Sequence, residues 1–239
     1  MVKNKSFAFT LSEMLITLSI VGVLAMLVLP GLIKDSVNKA QIALLQSTVT
    51  NISDAVQTEI VSKNATNIFD TSFGAQNVND PLPFVRKHFD ITEECEATYD
   101  TPCTGAKYTN LNGASALLFL NKPVLLTNGV SLDFYYDYSK TEKDIAVRID
   151  LNGKKSPNII GVDTFYLYIV GSNDLDNGRQ VGDVKGLIQP NVSLTEEATN
   201  AQLQTACKDG SPSVCYLLLE RTGFEPNYSI MNFNEEVEL

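Results

Sequence analysis

Twenty consecutive residues, Met14 to Ile33, carry no charge. A helix rises about 1.5 Å per residue, so this run reaches roughly 30 Å, the thickness of a bilayer's hydrocarbon core. No second stretch of the chain approaches it. Beyond the run the apolar positions become periodic. Leu45, Val49, Ile52, Val56 and Ile60 recur at steps of four, three, four and four, which places them on one face of a helix. The pattern predicts a single helix from about Phe9 to Ser62, its first half in apolar surroundings and its second half packed on a domain.

From Lys63 to about Pro123 the periodicity dissolves into Asn, Thr, Gly and Pro with short apolar pieces, which reads as a long irregular connection. Strands then become legible. "PVLLTNGVSLDFYYD" holds Asn128 and Gly129 between two β-rich runs, the composition of a two-residue hairpin turn. Asp144–Gly153 alternates in the same way, and Asp163–Val170 forms a further strand. A short helix follows over about 213–222, ended by Gly223. The predicted class is α+β, with the helix packed on an antiparallel sheet of about four strands.

At the N-terminus, Lys3 and Lys5 precede the apolar run with no acid among the first eight residues. Basic residues stay on the cytoplasmic side, so the expected topology is N-in with the domain exported. A cleaved secretory signal peptide is the plain reading of such a start. Two features oppose it: Glu13 interrupts the passage from basic to apolar, and the apolar run flows into a continuous helical pattern that cleavage there would cut.

Residues Ala8, Phe9, Thr10, Leu11, Ser12 and Glu13, followed by the apolar run, resemble the processing signal of the prepilins of type IV pili and the pseudopilins of type II secretion systems. That signal is a short basic leader ending in Gly or Ala, then Phe-Thr-Leu-x-Glu. Ala8 stands here in place of the commoner Gly. Gly22 and Pro30 also match positions where many members carry Gly and Pro. The resemblance covers about the first fifty residues. It implies a leader over residues 1–8, a long helix over 9–62 with its span at about 14–33, and a globular pilin-like domain over 63–239. It also implies that a prepilin peptidase cuts between Ala8 and Phe9 and methylates the new Phe9 amine. The implied partners are that peptidase, other pilin or pseudopilin subunits and the inner-membrane assembly platform. The implied location is the inner membrane as a single-pass protein, then a periplasmic or extracellular filament.

Within that frame Glu13 has a physical role. A carboxylate in a membrane costs up to a few kcal/mol unless it finds a partner or water. The Phe9 amine, with an ordinary pKa of about 7.7 to 8.0, is mostly cationic at neutral pH. In a filament, Glu13 of an incoming subunit can neutralise the Phe9 amine of a docked one. The plainer alternative is an anchor at the headgroup boundary. Pro30 withholds a hydrogen bond from the Met26 carbonyl, so with Gly22 it brackets a weak stretch of helix, either a passive kink or a segment that bends on assembly.

The formal net charge is −10 and the 18 basic residues are scattered, without the Lys/Arg stripe that neutralises a phosphate backbone, so direct nucleic-acid binding is not expected. Cys95 with Cys103 and Cys207 with Cys215 form two local pairs, and no Cys-x-x-Cys spacing suggests zinc. Beyond a membrane span these pairs are expected to be disulfides, the second closing a small surface loop. The resemblance makes that C-terminal region a candidate contact surface; the alternative is a purely stabilising staple. Asp150, Asn152, Asn158 and Asp163 gather hard oxygens in one loop, a weak calcium candidate. The loop lacks the Asp-x-Asp-x-Asp-Gly register, and an ordinary turn in which Asn and Asp cap backbone groups is the preferred reading. "NDLDNG", 173–178, meets the same objection. No cofactor is expected. The lone histidine, His88, has no nucleophile near it in sequence, and neither G-x-S-x-G nor a phosphate loop is present, so no enzyme activity is expected. The chain reads as a structural filament subunit. At about 231 residues after processing it exceeds the usual abundant subunits, which favours a minor one. The alternative is a signal-anchored exported binding domain that does not polymerise.

Overall fold

The computed structural model describes residues 10–71, 73, 80–137, 144–173, 178–186, 194–195 and 197–224. Helix α1 runs Leu11–Lys63. Its residues to Ala40 fall in one compact unit, and those from Gln41 onward in a second unit with the rest of the chain. In the second unit the predicted stripe is buried: Leu45, Ile52 and Val56 are fully enclosed, Val49 nearly so, and Ile60 packs at the edge of the same core. The chain is α+β with a long N-terminal helix and an antiparallel sheet, as the pattern predicts.

The sheet has six strands rather than four, in the order β1-β4-β5-β6-β7-β8, every pairing antiparallel. Its strands are β1 (Ile91–Glu94), β4 (Val124–Leu126), β5 (Ser131–Asp137), β6 (Asp144–Asp150), β7 (Thr164–Ile169) and β8 (Val184–Lys185). The four expected strands form its centre. The two additional ones are edges, and they escape a pattern search because β1 is short and mostly exposed and β8 has two residues. A second, two-stranded sheet pairs β2 (Tyr108–Thr109) with β3 (Ser115–Ala116). The hairpin between β4 and β5 also differs from expectation. Leu126 and Val130 close a three-residue loop, Thr127–Gly129, through Leu126 N–H to Val130 O (2.8 Å) and Gly129 N–H to Leu126 O (3.0 Å). Gly129 takes φ +87°, the left-handed residue that such a loop requires.

Register explains why both faces of the sheet are enclosed. Leu132, Ile149 and Phe165 stand side by side across β5, β6 and β7, as do Phe134, Val147 and Leu167. Both rows belong to the main core with the stripe of α1. The alternate row, Asp133, Arg148 and Tyr166, is also buried. Its cover comes from the segment read as an irregular connection, which in fact contains helix α2 (Leu82–His88), β1 and the β2–β3 pair. Tyr108, Ala116 and Leu118 pack with Ile160 and Tyr166 in a second, smaller core on that face. Seven-residue and two-residue elements show no period from which they could be recognised.

Helices α3 (Asn200–Lys208) and α4 (Pro212–Arg221) complete the unit. Helix α4 lies within a residue of the predicted helix. Helix α3 is additional to the predicted elements, and Thr199 and Gln202 form a reciprocal capping box at its start. Leu203, Ala206, Val214, Leu218 and Leu219 direct the pair into the main core.

Candidate assembly interface

The start of α1 is a closed hydrogen-bond motif. The Thr10 carbonyl accepts the first helical bond, from Met14 N–H at 3.2 Å. Thr10 Oγ1 accepts from the Glu13 N–H at 3.3 Å, while Thr10 N–H (2.8 Å) and Thr10 Oγ1 (2.7 Å) both donate to Glu13 Oε2. This is a capping box: Thr-x-x-Glu satisfies orphan donors at the helix start and places a carboxylate at the positive end of the helix dipole. The sequence signal for it, Thr10 followed three residues later by Glu13, lies inside the processing motif. Ala8 and Phe9 lie outside the described residues.

Leu11–Leu29 forms an apolar segment of 19 residues, none of it buried. Leu11 and Met26 are about four-fifths exposed. The few hydroxyls in this stretch are satisfied within the helix: Thr17 Oγ1 donates to Met14 O (3.0 Å) and Ser19 Oγ to Leu15 O (2.8 Å). Such bonding lets a helix enter hydrocarbon without unpaired polar groups. A Cβ added at Gly22 would meet nothing within 4 Å, so that backbone is open to an approaching neighbour. Pro30 lies within the assigned helix.

The oxygen-rich loop is built differently from a cation site. Asp150 Oδ1 accepts from Asn152 N–H (3.2 Å) and Gly153 N–H (2.8 Å), and Oδ2 from Tyr108 Oη (2.6 Å) and Arg148 Nη1 (3.4 Å). Asp163 Oδ2 accepts from Asn158 N–H (2.7 Å) and Asn152 Nδ2 (3.1 Å), and Oδ1 from Ile159 N–H (2.7 Å). The four residues are brought together, but the two carboxylates accept from donors that shape the turn, Asn152 and Asn158 among them, so N–H groups stand where a cation would need oxygens. Among the described residues no group of three or more His, Cys, Asp or Glu side chains is placed to hold a metal. Part of "NDLDNG", 174–177, lies outside the described residues. Burial pushes the Asp163 carboxyl up to about 6, the nearby Asp150 adding to the shift.

Behind that loop Arg148 is wholly buried between Asp133 and Asp150, with Nη2 donating to Ser131 Oγ at 3.2 Å. Burial raises the carboxyls of Asp133 and Asp150, and the guanidinium pulls against it. His88 is likewise structural: its Nε2 lies 2.8 Å from the buried Glu59 of α1, which also pairs with Lys87.

Disulfides join Cys95 to Cys103 and Cys207 to Cys215. The second closes a short loop whose Lys208 and Asp209 are exposed, but the bond itself is interior. Cys207 and Cys215 are both buried and tie α3 to α4 inside the main core, because the residues around them, Ala206 and Val214, face inward. On α4, Glu220 sits half-buried beside Gly186 and Lys185. Burial pushes its carboxyl up to about 7, with a Gly186 backbone hydrogen bond and the Lys185 charge opposing. A carboxyl with a raised folded-state pKa favours the fold while protonated, and that contribution is lost as pH rises from about 4.5 through 7. Glu220→Gln is therefore expected to melt about 2–4 °C higher than the parent at pH 8 and close to it at pH 4.5. A gain equal at both pH values would sink the titration argument.

Residues 3–29 match the prokaryotic N-terminal methylation motif. No curated protein and no solved structure matches the chain. The motif is the prepilin signal of type IV pilins and pseudopilins, and it coincides with the capping box and the exposed apolar half of α1.

Proposed function

We propose that this chain is a structural subunit of a type IV pilus or a type II secretion pseudopilus, held in the inner membrane by the apolar half of α1 until it polymerises. The observation that carries the reading is the coincidence at one helix start. The methylation motif over 3–29 takes in a 19-residue apolar helical segment with no buried side chains, and its one carboxylate sits on the first turn. An apolar helix of that length needs lipid before assembly and other apolar helices after it.

On this reading residues 1–8 are a leader, 9–62 the assembly helix and 63–239 the exported domain. A prepilin peptidase cuts between Ala8 and Phe9 on the cytoplasmic side and methylates the Phe9 amine. Glu13 pairs with a neighbouring subunit's Phe9 amine, and Gly22 and Pro30 mark where the helix yields as subunits pack. The assembly platform and other pilin-like subunits are the partners. The size of the domain favours a minor subunit.

The test is the mass of the chain isolated from membranes. The expected N-terminus is Phe9 carrying one added methyl group. Ala8→Leu places a bulky side chain before the scissile bond, and most of the chain should then persist as the full-length precursor. A native chain that retains residues 1–8, or is cut beyond the apolar helix, would overturn the proposal in favour of a simple anchor or a secretory signal.

A further inference from the structure

We infer that the outer face of the sheet carries a binding site for a neutral saccharide, in the cavity between the β3 segment and the turn joining α3 to α4. The cavity has a volume of about 380 Å³, within the range of small-ligand sites. Its lining combines two kinds of surface. Leu117 and Phe119 are 85% and 72% exposed, although the period-2 pattern buries their neighbours Ala116 and Leu118 in the second core. The Phe119 ring lies 5.8 Å from Tyr135, tilted by 33°, and Tyr135 lies 6.3 Å from Tyr166. An exposed aromatic face therefore continues into the cavity wall. Asn110, Ser115 and Gly210 also line the cavity.

Charge selects the class of ligand. None of the described residues lining this cavity is charged, in a protein of net charge −10. No described lining residue neutralises a phosphate, a carboxylate or an amine, so an ionic ligand would lose its hydration without compensation from them. A wholly apolar ligand would in turn desolvate the Asn110 amide and the Ser115 hydroxyl, neither of which makes a side-chain hydrogen bond among the described residues. A pyranose presents the matching pair of surfaces: C–H groups on one face for the aromatic ring, and neutral hydroxyls at its edge for an amide and a hydroxyl. The Asn110 amide lies close against Gly210. A Cβ at Gly210, which has φ +98°, would lie 2.5 Å from Asn110 Nδ2, so glycine leaves room for the amide at that wall.

This inference concerns the exported domain and does not depend on polymerisation. Saturation-transfer NMR on the full chain in a sugar-free detergent tests it, with the methyl glycosides of glucose, galactose and N-acetylglucosamine and their β-1,4-linked disaccharides as probes. At least one should bind with a dissociation constant of about 1–10 mM, as expected for a ligand of that size. Phe119→Ala removes an exposed ring and should weaken it about tenfold; Asn110→Ala should weaken it as well, and Val61→Ala, at an exposed apolar position away from the cavity, should not. The inference is overturned if no saccharide in the panel binds. It is equally overturned if binding survives both cavity substitutions, or if hexan-1-ol binds the same cavity as well as the best sugar.

Discussion

Glu13→Ala is expected to leave membrane insertion and leader removal intact while reducing incorporation into filaments by more than about tenfold. Removing a carboxylate makes the span more apolar, so insertion should improve if anything. On the proposed pairing, what is lost is the counter-ion for a neighbouring Phe9 amine, and a cation buried without a partner costs several kcal/mol. The capping box complicates the alanine result, because Glu13 also receives the Thr10 N–H and hydroxyl, and losing a cap costs about 1 kcal/mol by itself. Glu13→Gln separates the two roles. Glutamine at this position preserves the capping box but carries no charge. If charge pairing drives assembly, Gln fails like Ala, and Asp, charged but one methylene shorter, is intermediate. Comparing sheared-filament with membrane fractions for the four forms decides it. Wild-type incorporation of the Gln form would reduce Glu13 to a helix cap.

Arg148→Met is expected to destabilise the folded domain by about 3–5 kcal/mol at pH 7, measured by chemical denaturation. Methionine fills most of the volume, so the loss is electrostatic rather than a cavity effect. Asp133 and Asp150 are fully buried, and without the guanidinium each must keep an uncompensated charge or take up a proton. Their remaining partners supply only part of the compensation: Asp133 accepts from the Asn121 and Lys122 N–H groups at 2.9 and 3.0 Å. Protonation relieves the cost, so the deficit should shrink at pH 5 and grow at pH 8. Adding Asp150→Asn to Arg148→Met should recover part of the loss at pH 8. A deficit below about 1 kcal/mol at pH 7 would mean that the triad is as dispensable as a surface ion pair.

Much of the protein was legible because its signals are local. The apolar run is read from twenty adjacent residues, the helix stripe from a period of 3.6, and the four central strands from β-rich runs bounded by turns. The methylation motif is contiguous, residues 3–29, and so is read without any long-range information. Even the capping box at Glu13 needs only Thr10 and Glu13, three residues apart, and could have been found without coordinates.

What only the tertiary structure decided are the features that depend on partners far apart in the chain. Arg148 looks like an ordinary outward-facing strand residue until the 95–120 segment folds over that face and encloses it. The edge strands β1 and β8 exist because a neighbour offers an unpaired ladder, not because their few residues prefer to be extended. The Cys207–Cys215 pair reads as a surface staple from its spacing, yet the apolar faces of α3 and α4 carry it into the core. Asp150 and Asp163 read from the sequence as caps of an ordinary turn, with calcium a weak alternative; only the fold brings Tyr108 from another segment, and Arg148, onto the remaining lone pairs of Asp150. Local pattern determines which way an element's apolar side faces. Which surfaces meet there, and so whether a charged group ends in water or in the core, follows from the assembly of the whole chain.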